Sequence, residues 1–274
     1  MSGDSAALLL SRHEQLPPRA SAAAKVMHLV DDPDASVQQI AQAISPDPIF
    51  AAKILRVANS AYYGLGGRVG TLPFAVSVLG FQTVRSLAVA AAAGLDDAGA
   101  APAGFWEAAV GVATAAEMLA PLMAAHPGDS FSVGLLHMLG AAFLHQASPL
   151  PRICLPDDGD GAALCAQEEA EYGIDHARAG ARVLSAWRFP PQMCALIGRH
   201  HEAPLPDAAP LERVLHAARR VSGFLLAGTP DALLDDPELP WLAEGRLTRD
   251  DLPVMIDRIA RKSEALLEGL RPGY

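Results

Sequence analysis

From Ser21 onward the apolar residues return every three or four positions and nowhere alternate with polar ones for a useful length. That spacing builds helices with one buried face and leaves no material for a half-buried strand. An all-α fold is therefore expected. The interruptions carry the residues that start and stop helices. "PPRASAAAKVMHLVDD" opens on prolines and halts at Asp31–Asp32 ahead of Pro33, while Ser36 is placed to cap "VQQIAQAI" before "SPDP" closes it. Asp47 and Pro48 open the next helix. The carboxylate accepts from free N–H groups of the first turn, where proline has no needed donor to lose. Further helices are expected over 72–79, 83–93, 105–125 and 130–146, with a last amphipathic one over 250–270. The aromatic-free "GLDDAGAAPAG", 94–104, reads as a connector between two lobes, and "LDDPELP", 234–240, as a further break.

The helix after Asp47 carries Lys53, Arg56 and Ser60 as one narrow polar stripe on an otherwise apolar surface, so most of it must be buried. Asn59 sits beside Ala52 and Leu55, where a free amide is costly. It is expected to tie the "SAYYGLGG" turn back to the helix, with Gly64, Gly66 and Gly67 supplying the permissive backbone. Tyr62 and Tyr63, two of only four tyrosines, are the candidate anchors for a protein partner. Arg68 and Arg85 read as solvated charges.

With 31 acidic against 21 basic side chains the chain has a formal charge of −10, which argues against binding nucleic acid or an anionic membrane through the overall field. Cys154, Cys165 and Cys194 form no C-x-x-C pair and are odd in number. They fit reduced thiols in a cytoplasm, read as core or bystander residues. "MSGDSAALLLSRHEQLPP" lacks the basic and long apolar regions of an export signal, so a cytoplasmic location is expected. "SLAVAAAAGL" (86–95) is too short to span a membrane, and "SFSVGLLHMLGAAFLHQA" (130–147) is interrupted by two histidines. Both read as buried helices. No G-x-S-x-G or H-E-x-x-H occurs, and the acid pairs Asp157–Asp158 and Glu168–Glu169 read as solvated faces.

Taken in order, "LPPRASAAAKVMHLVDDPDASVQQIAQAISPDPIFAAKILRVANSAYYG", "TLPFAVSVLGFQTVRSLAV", "FWEAAVGVATAAEML", "GLLHMLG", "YGIDHARAGARVLSAWRFP" and "RHHE" resemble the HDOD domain. The resemblance runs over roughly 13–225. It implies a two-lobe helical architecture: an extension 1–12, an N-terminal lobe 13–93, the connector 94–104, an HD-like lobe 105–225 and a C-terminal helical extension 226–274. It also implies kinship with the HD superfamily of metal-dependent phosphohydrolases, including the HD-GYP enzymes that cleave cyclic diguanylate. HDOD domains themselves are regarded as regulatory modules without that chemistry.

Against the superfamily pattern, Ala108 stands where a histidine ligand is expected. Met138 follows His137 where the aspartate of the name-giving pair belongs, and Ala141 stands where HD-GYP members often have lysine. His176 and the pair His200–His201 match surviving imidazole positions. Hydrolysis of a phosphodiester by this route needs carboxylates around hard cations, so His137, Met138, His176, His200, His201 and Ala108 together read as a vestigial pocket, with no catalytic residue, metal or cofactor expected. On a regular helix His200 and His201 point about 100° apart, which puts only one of them toward the pocket. His137 and His145 are separated by roughly 12 Å of helix axis and cannot share an ion.

The function expected is a non-enzymatic signal-transduction module acting through protein–protein contacts. A sensor holding a nucleotide second messenger in the vestigial pocket is the alternative, and a weak metal-dependent phosphohydrolase stands behind it. The partners expected are signalling proteins, with a nucleotide or a second copy of the chain as further candidates and neither nucleic acid nor membrane.

Overall fold

The computed structural model describes residues 11, 21–95, 97, 99–147 and 161–270; the N-terminal segment read above for an export signal, together with Cys154 and Asp157–Asp158, lies outside them. Among the described residues every regular element is a helix: fourteen α-helices and two short 3-10 helices. The chain separates into two units, one formed by 1–15 and 98–260, the other by 16–97 and 261–274. The division falls inside the 94–104 connector. The C-terminal segment makes no separate extension; it is shared between the two units.

The smaller unit holds α1 (Ala22–Val30), α2 (Val37–Ile44), α3 (Pro48–Ala58), α4 (Leu72–Leu79) and α5 (Phe81–Ala92). Its helix starts follow the local chemistry of the sequence. Ser36 and Gln39 form a reciprocal capping box, and the Asp47 carboxylate accepts from the N–H groups of Ile49 and Phe50 at 3.1 and 3.0 Å. Asn59 closes α3 and reaches ten residues onward. Its amide nitrogen donates to the carbonyls of Leu55 and Val69 at 3.0 and 2.8 Å, and its oxygen accepts the Val69 N–H at 2.9 Å. Gly64, Gly66 and Gly67 in the intervening turn all have positive φ, which a Cβ would strain.

The polar stripe of α3 is covered. Lys53 is 4 % exposed and Ser60 8 %, because the last turn of the C-terminal helix lies across α3. A Cβ on Gly269 would stand 2.9 Å from that of Ser60, and the Arg56 guanidinium donates to the Gly269 carbonyl at 2.7 Å. A cation closing a helix C-terminus in this way answers both the free carbonyls and the dipole. Arg85 is likewise buried, paired with Asp31 at 2.7 Å, and is not a solvated charge.

The tyrosine pair does not form an exposed anchor. Tyr62 is 7 % exposed, its ring lies edge-on to Tyr63 at 4.8 Å, and Lys262 sits over its face. Burial pushes the Tyr63 phenol upward from its ordinary pKa, partly offset by its hydrogen bond with Thr83. The Tyr62 ring contributes its area to the core of this unit, and Tyr63 is half-buried beside it.

The larger unit contains α6 (Phe105–Leu119), α7 (Pro127–Leu136), α8 (Leu139–Ala147), α9 (Gly161–Tyr172), α10 (His176–Ala186), α11 (Pro191–Gly198), α12 (Pro210–Leu226) and α13 (Glu238–Leu242); α14 (Leu252–Leu270) runs from it into the smaller unit. Two sequence expectations are corrected here. The stretch expected as one helix over 130–146 breaks at His137–Met138, and the helix expected over 105–125 ends at Leu119 in a 3-10 turn, Ala120–Met123. Helix α6 packs on α7 and α12, and α10 on α8 and α11. No single helix among the described residues is long and apolar enough to cross a membrane.

Candidate functional site

The break between α7 and α8 places His137 at a corner, not along a continuous helix. Two glycines set that corner. At Gly134 a Cβ would fall 2.6 Å from the Ala113 Cα, and at Gly140 it would fall 1.9 Å from the His176 carbonyl oxygen. The backbones of α6 and α7, and of α8 and α10, therefore touch directly. The Gly134 carbonyl is also the acceptor for Nδ1–H of His137 at 2.7 Å. His137 and His176 thus reach the same interior from two helices held in backbone contact.

His200 and His201 both face this interior, contrary to the helical expectation of one. Helix α11 ends at Gly198, so the 100° rule no longer applies to the two residues beyond it. Their rings lie 4.2 Å apart, that of His200 is 5.2 Å from both His137 and His176, and that of His201 is 4.8 Å from His176. The four histidines named from the sequence are brought together. Met138 and Ala108 are buried, at 6 % exposure each, and supply only apolar surface.

Three residues that the sequence reading did not assign complete the cluster. Glu168, read as part of a solvated face, is 3 % exposed. One of its carboxylate oxygens accepts both Nδ1–H of His176 at 2.6 Å and the His176 backbone N–H at 2.8 Å. Its neighbour Glu169 remains at the surface, paired with Arg178. Arg219, from α12, donates to the His200 carbonyl and to Nδ1 of His201. Cys165, one turn before Glu168, brings its sulfur within 4.8 Å of ligand atoms of His176 and His201. A sequence signal exists for only two of the three, as helical spacing: Glu168 lies three residues after Cys165, on one face of α9.

Donor and acceptor arithmetic fixes the protons. Arg219 can only donate, so Nδ1 of His201 accepts and its proton lies on Nε2. Nε2 of His201 lies 2.9 Å from Nε2 of His176, so His176 accepts there and carries its proton on Nδ1, toward Glu168. The result is a one-way chain of hydrogen bonds from the arginine through two imidazoles to the carboxylate. Burial, aided by the charge of Arg219, pulls His137 down to about 3 and His201 to about 2, and holds His200 well below the ordinary imidazole value. Burial raises the Cys165 thiol to about 11, with Asp175 and Glu168 adding to the effect. His200 donates Nδ1–H to the Ile197 carbonyl at 2.7 Å, and its buried Nε2 has no hydrogen-bond partner.

This donor set does not fit a pair of hard cations. Such ions need several carboxylate or water oxygens, whereas the buried positions at 108, 138 and 141 are alanine, methionine and alanine. Glu168 is already committed to His176. A separate open cleft of about 950 Å³ lies against α10 and α11, lined in part by Arg178, Arg182, Cys194 and Arg199, and by none of the four histidines. Its cations are engaged: Arg178 pairs with Glu169 and Asp175, and Arg199 with Glu212.

The chain is similar to several known proteins. An uncharacterized protein of Treponema pallidum is 26 % identical over 240 residues, which cover 82 % of this chain. The match takes in only 45 % of that relative's own length, so this chain spans less than half of it. A Shewanella amazonensis protein of known structure, named "Putative phosphohydrolase", is 26 % identical with a TM-score of 0.68, covering 97 % of this chain and 98 % of its own. A Marinobacter aquaeolei protein named "Putative signal transduction protein" shares the fold at 23 % identity and a TM-score of 0.64, covering 97 % of this chain and 64 % of its own. The pattern of the HDOD domain matches residues 16–203. With its helices, their order and the histidine cluster in place, the chain belongs to the HDOD domain family.

Proposed function

We propose that this protein is a non-hydrolytic regulatory module that transmits a signal by binding other proteins. One observation carries the reading: Glu168, the carboxylate bonded to the histidine cluster, is consumed by two hydrogen bonds to His176. Among the described residues the neighbouring buried acid, Asp175, is held by Arg178, so neither carboxylate is free to hold ions and activate water. The four imidazoles are directed at one another and at backbone carbonyls, which stabilises the lobe and leaves the water-activating position of a hydrolase without ligands. The name borne by the Shewanella relative points toward hydrolysis, and the donor set of this chain argues against carrying that activity over.

A phosphodiesterase assay with cyclic dinucleotides and linear phosphodiesters, in magnesium and in manganese, tests the reading directly. No turnover above that of a His176→Ala variant is expected. Turnover by the parent that the variant loses would overturn it. Affinity capture from the native cell, with quantitative identification of the retained proteins, is expected to return a signalling protein. A nucleotide panel that raises the melting temperature without any captured protein would favour the sensor alternative.

A further inference from the structure

Cys165, His176 and His201 place one sulfur and two ring nitrogens within 4.8 Å of one another. The two histidine nitrogens are 2.9 Å apart, a few tenths of an ångström inside the roughly 3.3–3.8 Å between tetrahedral ligands with bonds of about 2.0–2.3 Å, so a small parting of the rings admits an ion. The surroundings resemble those of a ligand shell in a further respect. A metal-bound imidazole nearly always donates its other N–H to a carboxylate or a carbonyl, and His176 does so to Glu168 while His200 does so to Ile197. The Nε2 of His200, 3 % exposed as a residue, is buried without a partner, although a lone pair kept from water ordinarily finds a donor.

We propose that Cys165, His176 and His201 form a site for a single borderline-soft divalent cation, zinc foremost. A thiolate with imidazoles suits zinc and disfavours magnesium or calcium. The metal-free expectation drawn from the sequence left Cys165 aside. Such an ion would tie α9, α10 and the segment after α11 together, a structural or sensory role.

The protons balance simply. The Cys165 thiol gives its proton to solvent as the metal–sulfur bond forms. Ligation through Nε2 of His201 moves that ring's proton to Nδ1, so Arg219 must leave Nδ1 while it retains the His200 carbonyl. Metal entry therefore replaces the His201–His176 hydrogen bond and the Arg219–His201 hydrogen bond with coordination. One proton is released for each ion bound.

The test uses the full chain after chelation, with cobalt(II) as a spectroscopic probe and zinc(II) as the competing ion. The parent is expected to bind one cobalt per chain with an intense thiolate-to-cobalt charge-transfer band and the visible bands of tetrahedral coordination, all abolished by one equivalent of zinc. Cys165→Ser is expected to lose the charge-transfer band, Cys154→Ala to keep it, and Glu168→Gln to weaken zinc binding about 10–100-fold. Circular dichroism of each variant establishes that it is folded. Absence of the band in the folded parent overturns the proposal, as does its survival in Cys165→Ser or its loss in Cys154→Ala. Should Cys165→Ser not fold, the parent's spectrum together with that of Cys154→Ala decides.

Discussion

One carboxylate oxygen of Glu168 accepts both the ring N–H and the backbone N–H of His176, at 2.6 and 2.8 Å. The side chain of His176 and the first turn of α10 are thereby fixed by a single group. Truncating Glu168 to alanine leaves two buried donors unmet, and losing hydrogen bonds to a charged group costs about 1.5–3 kcal/mol each. Glu168→Ala is expected to lower unfolding free energy by about 3 kcal/mol in urea titrations. Glu169→Ala, which removes only an exposed pair with Arg178, should cost less than about 1 kcal/mol.

Asn59→Ala removes three hydrogen bonds and leaves both backbone groups of Val69 without their partner. Unsatisfied buried groups cost about 1–3 kcal/mol, so a loss near the top of that range is expected. A melting temperature equal to the parent's would refute the role given to this amide.

Replacing Tyr62 and Tyr63 together by alanine is expected to destabilise the protein by several kcal/mol, since truncating one buried aromatic ring costs about 3–5 kcal/mol. Near-ultraviolet circular dichroism and thermal melting read this out. A double variant with native stability and impaired partner capture would restore these residues as an interaction surface.

Acid should unfold the metal-free protein early. His137, His200 and His201 have folded pKa values held below that of a free imidazole, so the unfolded chain binds protons that the folded chain does not. Stability is then full above about pH 6.5 and falls as the pH drops below it, with a slope of about 1.4 kcal/mol per pH unit for each histidine. Denaturation midpoints between pH 7 and 5 should show an uptake approaching three protons on unfolding, and a flat profile over that range would contradict the burial of the cluster.

Gly140→Ala sets a methyl group against the His176 carbonyl and the Gly180 nitrogen. Overpacking of this kind costs about 1–3 kcal/mol, and here the obstacle is backbone, which yields least. The variant is expected to melt several degrees lower and to weaken any zinc binding, while Gly173→Ala, strained through its φ of +75° but with nothing within 4 Å, should leave zinc binding unchanged.

The sequence revealed what is decided locally. Ser36 and Asp47 cap helices because their carboxylate or hydroxyl needs only the next three residues, and Asn59 was readable because it was an amide at an apolar position. The histidines were found through the family resemblance, but their joint orientation was not. His200 and His201 converge because α11 stops at Gly198, a boundary shift of two residues. Glu168 escaped notice because it lies among the acids and glutamine of "AQEEAEY", and only the approach of α10 distinguishes the buried acid from its exposed neighbour. Cys165 escaped because its ligand partners, His176 and His201, are remote in sequence and no C-x-x-C pair marks it. The burial of Tyr62 was not legible because nothing near it in sequence records that α14 returns with Lys262 over its ring.

The backbone contact of α8 with α10 at Gly140 separates ancestry from activity. Because main chain and not side chains spaces the two helices, the pocket keeps its dimensions whatever occupies positions 108, 138 and 165. Ligands can be exchanged one at a time, an acid for methionine or a bystander thiol brought into use, without redrawing the frame. On such a frame a side chain beside the pocket can change while α8 and α10 keep their spacing.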